Sequence, residues 1–233
     1  MHGRLGHMKE KRTPPSASKA LVDKAVRHLE GAILTGTIGP GQQLSEQALA
    51  AELGVGRGPL REAVRNLEGR RLVVRTPFSG ARVVSLTLDD FEQLLILREA
   101  LEGMASRHAA ERMTLPEVRE LRANLVAFSQ RVEQEGLGDA FAHRAQNQDF
   151  HFQIVRGSRN RWLEEFLCRD LYSLIRIFWL RTASVERRHV AAVAEHYEIL
   201  NAIERRDPDR AETTMRAHIA NSRENLISRL RKA

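Results

Sequence analysis

The segment 46–71, EQALAAELGVGRGPLREAVRNLEGRR, constrains the fold most, because its pattern predicts two short helices joined by a tight turn. Ser45 stands where a side chain caps the first helix, and Leu49 and Leu53 form the apolar stripe of that helix. Gly54 follows at the position where a left-handed residue ends a helix. This order of signals predicts a helix-turn-helix.

The second predicted helix carries two different faces. Its apolar face consists of residues at helical spacing: Leu60, Ala63, Val64 and Leu67. Arg57, Arg61 and Arg65 recur every four residues on a neighbouring face. Guanidinium groups in such a row suit phosphates and the edges of guanine bases, so we expect this helix to contact DNA. An ordinary solvated basic face is the alternative, and the turn and its flanks favour DNA.

The flanks of this pair complete a winged helix-turn-helix. Upstream, apolar residues at helical spacing predict a helix that stops at Gly36: Leu21, Val22, Ala25, Val26, Leu29 and Ile33. Downstream, LVVRTPFSGARVVSL alternates around residues 77–80 and predicts a two-stranded ribbon, the wing. The predicted DNA-binding domain spans residues 18–86. Residues 1–17 form a polar, basic tail that is expected to be disordered.

The charge of the chain is unevenly distributed. Lys and Arg number 37 against 30 Asp and Glu; residues 1–86 hold 14 basic and 7 acidic side chains, whereas residues 87–233 hold 23 of each. A localised positive field attracts the phosphate backbone of DNA. No apolar run approaches the roughly 20 residues that span a bilayer, and no signal peptide is visible. We therefore expect a cytoplasmic, nucleoid-associated chain without membrane contact.

Residues 87–233 are helical by pattern and predict an antiparallel all-α bundle, so the whole fold is mainly α. Six helices are expected, at about 88–112, 115–135, 138–157, 159–183, 188–206 and 208–231. Short loops favour antiparallel neighbours. A segment of this length suffices for one hydrophobic core. The residues expected to fill it are Phe91, Leu94, Leu101, Leu121, Leu125, Phe128, Phe150, Ile154, Phe166, Ile175, Phe178, Trp179, Ile199, Ile203 and Ile219.

Histidines on separate helices of this bundle could share one site. Asn147 and His151 lie four residues apart and so project from one helix face, while His196 and His218 lie on the last two helices. Three imidazoles and one oxygen donor can converge on a divalent transition metal. Each histidine taken singly is more often an ordinary core or surface residue. Spacing also leaves the set open, because two further histidines lie near these faces: His143 and His189.

Arg98 is a second unusual residue, because it lies on the apolar stripe of its predicted helix. A buried guanidinium needs an anion. Glu102, four residues further on, is one candidate partner, and a bound carboxylate ligand is the other. Spacing does not decide between them.

Four stretches follow the signatures of one protein family nearly position for position. ILTGTIGPGQQLSEQALAAELGVGRGPLREAV matches the winged-helix signature, and LILREALEGMASRHAA, NQDFHFQIVRGSRN and EHYEILNAIERRDPDRAETTMRAHI match three effector-domain signatures. Over about residues 20–230 the chain therefore resembles GntR-type bacterial transcriptional regulators of the FadR subfamily, whose effector domain is called FCD. Six predicted effector-domain helices look more like the VanR-type branch than the seven-helix FadR type.

The resemblance implies DNA contacts at the turn and at the wing tip: Gln47, Gly56, Arg57, Gly58, Arg61 and Gly80. Spacing adds Arg65 to this set. The family usually has Ser or Thr at the position of Gly56, and often a hydroxyl residue at that of Gly58. Glycine can still cap a helix, but a side-chain hydrogen bond to phosphate is lost. Arg57 and Arg61 are therefore expected to carry more of the contact.

In the effector domain, residues 87–233, the resemblance implies metal ligation at four positions: Asn147, His151, His196 and His218. It assigns part of the binding of an effector carboxylate to Arg98. The first ligand position is commonly Asp in the family, and an Asn carbonyl is neutral and a poorer ligand. We expect zinc or nickel in a weaker site, or in one to which water and the effector contribute more.

The expected function is that of a homodimeric repressor, not an enzyme, that a small organic acid releases from a palindromic DNA operator. Two winged helices would read the two half-sites. The alternative is a metal-dependent hydrolase that uses the three histidines. It needs a general base beside a metal-activated water, and no HExxH or comparable motif accompanies these residues. A DNA-packaging protein would not need an inward-directed arginine and three histidines.

Overall fold

The computed structural model describes residues 15–76, 80–135, 150–180 and 189–232. The chain divides into two compact units, Met1–Val84 and Ser85–Ala233. The division lies two residues before the boundary that the sequence predicts. Within these described ranges, no helix combines the length and the apolar character needed to cross a membrane.

The first unit is the predicted winged helix-turn-helix. Its described residues form, in chain order, α1 (Pro15–Leu34), β1 (Gln43–Leu44), α2 (Glu46–Leu53), α3 (Arg57–Gly69), β2 (Val73–Thr76) and β3 (Gly80–Val83). The sheet is antiparallel with the strand order β1–β3–β2. The inner faces of α1 and α3 supply much of its core: Ala25, Leu29, Ile33, Leu60, Ala63, Val64 and Leu67. Helices α2 and α3 form the helix-turn-helix, and β2 and β3 form the wing.

Two details of the first unit differ from the sequence prediction. The predicted two-stranded ribbon has a third strand, because β1 pairs Gln43 with Arg82 and Leu44 with Ala81. A strand of two residues is too short to show alternation in the sequence. In addition, α1 begins at Pro15, so residues 15–17 are helical although composition assigns them to a disordered tail. Proline is tolerated in a first helical turn, where its missing N–H needs no partner.

The second unit is an α-helical bundle. Its described helices are α4 (Leu88–Arg112), α5 (Leu115–Glu135), α6 (Phe150–Gly157), α7 (Arg161–Glu164), a π-helical segment (Glu165–Leu171), α8 (Tyr172–Leu180), α9 (His189–Glu204) and α10 (Pro208–Leu230). The bounds of α4, α5 and α10 agree with the predicted helices to within one residue. Residues 136–149 and 181–188 lie outside the described ranges, so the predicted count of six helices stays a prediction.

Capping residues determine where several of these helices begin. At the start of α4, Thr87 Oγ1 accepts a hydrogen bond from the N–H of Asp90 at 3.1 Å, and Asp90 Oδ2 accepts one from the N–H of Thr87 at 2.9 Å. This capping box lowers the pKa of Asp90 through the hydrogen bonds from Thr87. Asp207 caps α10, whose first residue is Pro208. The predicted boundary at residues 207–208 is thereby confirmed.

The helix predicted over residues 159–183 is continuous from Arg161 to Leu180, but its winding changes in the interior. Asn160 Oδ1 accepts hydrogen bonds from the N–H groups of Trp162 and Leu163 at 3.1 and 3.3 Å, so α7 begins at Arg161. The chain then winds as a π-helix over Glu165–Leu171 before α8. A π-helical turn changes the helical repeat locally, which the spacing of apolar residues does not reveal.

Among the described residues of the second unit, the buried apolar side chains form two clusters rather than the one predicted core. Phe150 and Ile154 of α6 belong to the cluster that also contains residues of α5, α9 and α10. Phe152 and Val155 of the same helix belong to the cluster around the π-helical segment and α8. Helix α6 therefore contributes to both clusters. His151 lies in the sequence between Phe150 of the first cluster and Phe152 of the second.

Helices α4 and α10 run antiparallel and are joined by ion pairs along their length. Glu92 pairs with Arg231 at 2.7 Å, Glu99 with Arg223 at 2.8 Å, and Arg107 with Asp209 at 2.6 Å. Such pairs, exposed or partly exposed, each stabilise a protein only slightly. Their regular progression nevertheless shows that the middle of α4 faces the middle of α10.

Candidate functional site

The turn between α2 and α3 has the geometry that its sequence predicts. Ser45 Oγ accepts a hydrogen bond from the N–H of Ala48 at 3.3 Å, which caps α2. Gly54 ends α2 in the left-handed region, with φ of 62°, where glycine carries no steric penalty. Val55 is buried in the turn, and Gly56 is the N-cap of α3. The cap has no side-chain hydrogen bond, because glycine has no side chain to supply one.

Helix α3 buries its apolar face and exposes the arginine row. Arg57, Arg61 and Arg65 are all exposed. Arg61 Nε lies 3.7 Å from Glu46 Oε2, and Arg65 Nη1 lies 3.9 Å from Glu62 Oε2. Ion pairs this long and this exposed contribute little free energy, so the guanidinium groups can exchange them for phosphates or base edges.

The other predicted DNA contacts also occupy exposed positions of this unit. Gln47 is exposed in the first turn of α2, and Gly80, with φ of 73°, is exposed at the start of β3. A Cβ atom added to Gly58 would meet no atom within 4 Å, and one added to Gly56 would lie 3.6 Å from Pro59 Cδ. Both glycines therefore leave room for a side chain.

Three histidines from three helices meet inside the second unit. His151 of α6, His196 of α9 and His218 of α10 are buried, and one ring nitrogen of each lies within 4.8 Å of the others. The Nε2 atoms of His196 and His218 are 3.2 Å apart. The fourth predicted ligand, Asn147, lies outside the described residues, as do the side chains of the two alternative histidines, His143 and His189. We call His151, His196 and His218 the histidine cluster.

Two carboxylates determine which nitrogen carries the proton in two of these rings. Glu195 Oε2 lies 2.7 Å from His218 Nδ1, and Glu102 Oε2 lies 2.5 Å from His151 Nδ1. Because an ionised carboxylate only accepts hydrogen bonds, both Nδ1 atoms donate, so in the neutral form of each ring the lone pair is on Nε2. Burial lowers the pKa of His218 to about 4, although the hydrogen bond to Glu195 opposes the shift. The His218 ring is therefore neutral at pH 7.

Glu102 also joins the cluster to Arg98. Glu102 is fully buried, and its Oε1 accepts a hydrogen bond from Arg98 Nε. Burial raises the pKa of Glu102, but the charge of Arg98 and the hydrogen bonds from His151 and Arg98 outweigh it and hold the pKa well below its usual range. Arg98 Cζ lies 5.6 Å from the centre of the Tyr172 ring. Of the two partners that spacing offers for Arg98, the structure shows Glu102.

The donor set of the histidine cluster fits a divalent transition metal. Two nitrogens bound tetrahedrally to one zinc ion lie about 3.3 Å apart, which agrees with the separation of the His196 and His218 Nε2 atoms. Imidazoles that ligate a metal typically donate their other N–H to a carboxylate, as His151 and His218 do here. The cluster therefore offers three buried imidazoles, two of them oriented by carboxylates, and the His196–His218 pair has the spacing that one zinc ion requires.

Sequence reasoning missed Glu195 and the second role of Glu102. Glu195 directly precedes His196 in the sequence, yet it contacts His218 of the neighbouring helix and accepts a hydrogen bond from Asn221 Nδ2 at 2.9 Å. For Glu102, the sequence indicates only a possible pairing with Arg98 on the same helix. Both contacts to histidine depend on the packing of different helices, for which no local spacing gives a signal.

Comparison with protein families finds matches in both units. The FCD domain family matches residues 93–221, more than half of the chain. The family described as bacterial regulatory proteins, gntR family, matches residues 21–83. The two matches cover the histidine cluster and the helix-turn-helix, respectively.

Individual relatives resemble the chain over most of its length. The "Probable D-xylose utilization operon transcriptional repressor" of Paenarthrobacter nicotinovorans is 30% identical over 81% of this chain and 80% of its own. The HTH-type transcriptional repressor GlaR of Escherichia coli is 28% identical over 83% of this chain and 90% of its own. Among solved structures, E. coli McbR/YncC has a TM-score of 0.73 at 21% identity and covers 90% of this chain and 98% of its own. That similarity shows a shared fold.

Proposed function

This chain belongs to the gntR family of bacterial transcriptional regulators and carries an FCD domain, and on that basis we propose that it is a repressor controlled by a small organic acid. Two relatives that match most of the chain are named as transcriptional repressors. The hydrolase alternative has no support among these relatives. Among the described residues, Glu102 and Glu195 are the carboxylates that contact the cluster. Each accepts a hydrogen bond from an imidazole N–H, so neither is positioned to act as a general base.

We assign DNA recognition to α3 and the wing. The exposed row Arg57, Arg61 and Arg65 supplies guanidinium groups for phosphates and guanine edges, and Gln47 adds an amide at the start of α2. Gly80 would allow the wing to approach the DNA backbone closely. The positive charge of residues 1–86 supports this assignment, because it attracts DNA and predicts an affinity that falls with salt.

We assign metal binding to His151, His196 and His218, with Asn147 as a fourth, neutral oxygen ligand. Zinc or nickel suits a site dominated by imidazoles. When bound, the ion would supply a Lewis acid that attracts an anionic oxygen. A neutral amide binds such an ion more weakly than a carboxylate does, which would leave a coordination position accessible to water or to the effector.

We assign the effector carboxylate to the region between the histidine cluster and Arg98. Glu102 Oε1 accepts a hydrogen bond from Arg98 Nε, and the guanidinium keeps its positive charge at neutral pH. The Arg98 side chain is 13% exposed, so most of its surface is shielded from water. Shielding strengthens its attraction for an anion. A divalent ion bound to the histidine cluster would add positive charge to that of Arg98, so a small organic acid would match the charge of the metal-loaded site better than a neutral metabolite would.

We propose that the repressor acts as a homodimer that reads a palindromic operator. Two copies related by a twofold axis present two recognition helices to two half-sites. If the organic acid prefers the conformation that binds DNA less well, linkage requires that the acid lower the DNA affinity by the same factor.

The observation that carries this proposal is the convergence of three buried imidazoles beside the Arg98–Glu102 pair, in a chain that also carries a helix-turn-helix. The test begins with selection of an operator from random duplex DNA. Operator affinity is then measured by fluorescence anisotropy with zinc-loaded protein and a panel of organic acids. We expect at least one acid to lower the affinity about fivefold or more.

His196→Ala provides the discriminating variant. It should keep its operator affinity in the absence of acid but lose the response, because the binding site for the acid lacks one metal ligand. His108→Ala, which removes a half-buried histidine that pairs with Glu111 on α4, should respond like the unmodified protein. An acid response that persists at full size in His196→Ala would contradict the proposal, as would a panel in which no acid acts.

A further inference from the structure

The carboxylate of Glu102 contacts two groups that belong to different parts of the proposed effector site. Oε1 accepts a hydrogen bond from Arg98 Nε, and Oε2 accepts one from His151 Nδ1. Arg98 lies one turn earlier on α4, whereas His151 lies on α6. Because Glu102 is fully buried, bulk water does not compete with either partner. The carboxylate is thus a rigid bridge between a guanidinium and an imidazole.

Glu195 offers a comparison within the same cluster. Its Oε2 contacts His218 Nδ1 at 2.7 Å, as Glu102 contacts His151, but its Oε1 accepts its hydrogen bond from the amide of Asn221. The Glu195 side chain is 24% exposed, so water can take over the role of that amide. Both carboxylates therefore orient an imidazole through one oxygen. They differ in the donor to the other oxygen, which is the Arg98 guanidinium for Glu102 and the Asn221 amide for Glu195.

We propose that Glu102 is a positioning residue that transmits the state of Arg98 to the His151 imidazole, so that the metal affinity of the histidine cluster depends on what the guanidinium contacts. This inference rests on the proposed function. Arg98 fixes the orientation of the Glu102 carboxylate, and the carboxylate fixes the orientation of the imidazole ring. An organic anion that draws the guanidinium away would change both. Effector binding and metal binding are then reciprocally coupled through one side chain.

The consequence can be tested with the metal alone. Zinc affinity is measured by competition with a chromophoric chelator in four full-length proteins: unmodified, Arg98→Met, Glu102→Gln and the double variant. Outer-shell substitutions of this kind weaken metal binding about 10- to 100-fold, and we expect a loss of about tenfold or more in Glu102→Gln. Arg98→Met should lose about tenfold as well. In the Glu102→Gln background, however, the same change at Arg98 should have less than about a twofold effect.

Two additional measurements separate positioning from general loosening. Asn221→Ala, which removes the partner of Glu195, should change zinc affinity less than about twofold, because water replaces the amide. The visible absorption of bound Co²⁺ should shift in Arg98→Met and remain unchanged in Asn221→Ala, since it reports ligand geometry directly. Arg98→Lys, which keeps a positive donor on α4, should recover part of the affinity and serves if Arg98→Met does not fold.

The possible outcomes are distinct. Equal effects of the Arg98 substitution in both backgrounds would overturn the bridging role while leaving metal binding intact. A loss in Asn221→Ala as large as that in Arg98→Met would also overturn it, because the effect would then not be specific to Glu102. If the unmodified protein binds no zinc, the proposed metal site itself fails, and this inference fails with it.

Discussion

Arg61 is the single residue on which DNA recognition depends most directly. Its side chain is exposed on α3, and its pair with Glu46 is long at 3.7 Å. We expect Arg61→Ala to lower the free energy of specific operator binding by about 1 to 3 kcal/mol, because a guanidinium contact to a base edge is lost. Arg176→Ala, an exposed arginine of α8, is the control and should bind like the unmodified protein. Full operator affinity in Arg61→Ala would refute the placement of α3 on DNA.

Asn147 is the residue at which this chain departs from the metal-binding pattern of the family that it resembles. We expect Asn147→Asp to retain metal longer during challenge with a chelator, because a carboxylate adds negative charge to the ligand set. The measurement is the rate at which zinc appears in the chelator complex. Asn66→Asp, an exposed position on α3, controls for the added charge. An unchanged or faster release in Asn147→Asp would exclude Asn147 from the ligand set.

The individual residues of the site differ in how well the sequence predicts them. The spacing of histidines on helix faces indicates a shared site but leaves its members open, and the family resemblance selects His151, His196 and His218. Glu102 is predicted only as the partner of Arg98. Glu195 is not predicted, because acidic residues are common on helices and only the packing of α9 against α10 gives this one its role.

Among the secondary-structure elements, α3 has an N-cap that can be improved. Gly56 has φ of −68° and leaves ordinary contact space for a Cβ atom, so Gly56→Ser fits without strain. A serine oxygen can accept a hydrogen bond from the first turn, and we expect a gain of about 0.3 kcal/mol in the free energy of unfolding. The hydroxyl can also bond a phosphate, which should tighten operator binding about fivefold, or about 1 kcal/mol.

Gly56→Ala is the matched control for this prediction, because it adds a methyl group without a hydroxyl. Alanine is a much poorer N-cap than glycine, so this variant should be less stable than the unmodified protein. Thermal unfolding and fluorescence anisotropy measure the two effects. If Gly56→Ser and Gly56→Ala have the same thermal stability and the same operator affinity, the serine hydroxyl neither caps α3 nor contacts a phosphate.

The elements that the sequence predicts are those with strong local signals. Ser45 and Gly54 mark the ends of α2, and Thr87 and Pro208 mark the starts of α4 and α10. The strand β1 is missed because its two residues pair with β3 through backbone hydrogen bonds that leave no side-chain pattern. The π-helical segment is missed because a local change of repeat leaves the overall apolar spacing helical.

At the scale of the whole molecule, a palindromic operator requires two copies of the chain. We expect sedimentation to show a dimer at micromolar protein concentration, because the proposed function places one recognition helix on each half-site. Operator half-site separation would then be a fixed number of helical turns of DNA. A monomer under these conditions, both alone and with operator DNA, would remove the argument for a palindrome.

The division of labour between the two units follows from the sequence more readily than the internal packing does. The difference in charge between residues 1–86 and 87–233 already indicates that the first part is suited to DNA and that the second has another task. The two apolar clusters of the second unit are not predicted, because α6 contributes to both and the sequence does not show which of its faces each cluster uses.

The central claim is that the three buried imidazoles form a metal site, and elemental analysis of the purified full-length chain tests it most directly. We predict about one zinc or nickel ion per chain in the unmodified protein, and almost none in His196→Ala, because two imidazoles and a neutral amide are a poor ligand set. Circular dichroism would verify that the variant is folded. Absence of metal from the unmodified protein, together with no thermal stabilisation by any added divalent ion, would contradict the claim and make the three histidines ordinary core residues.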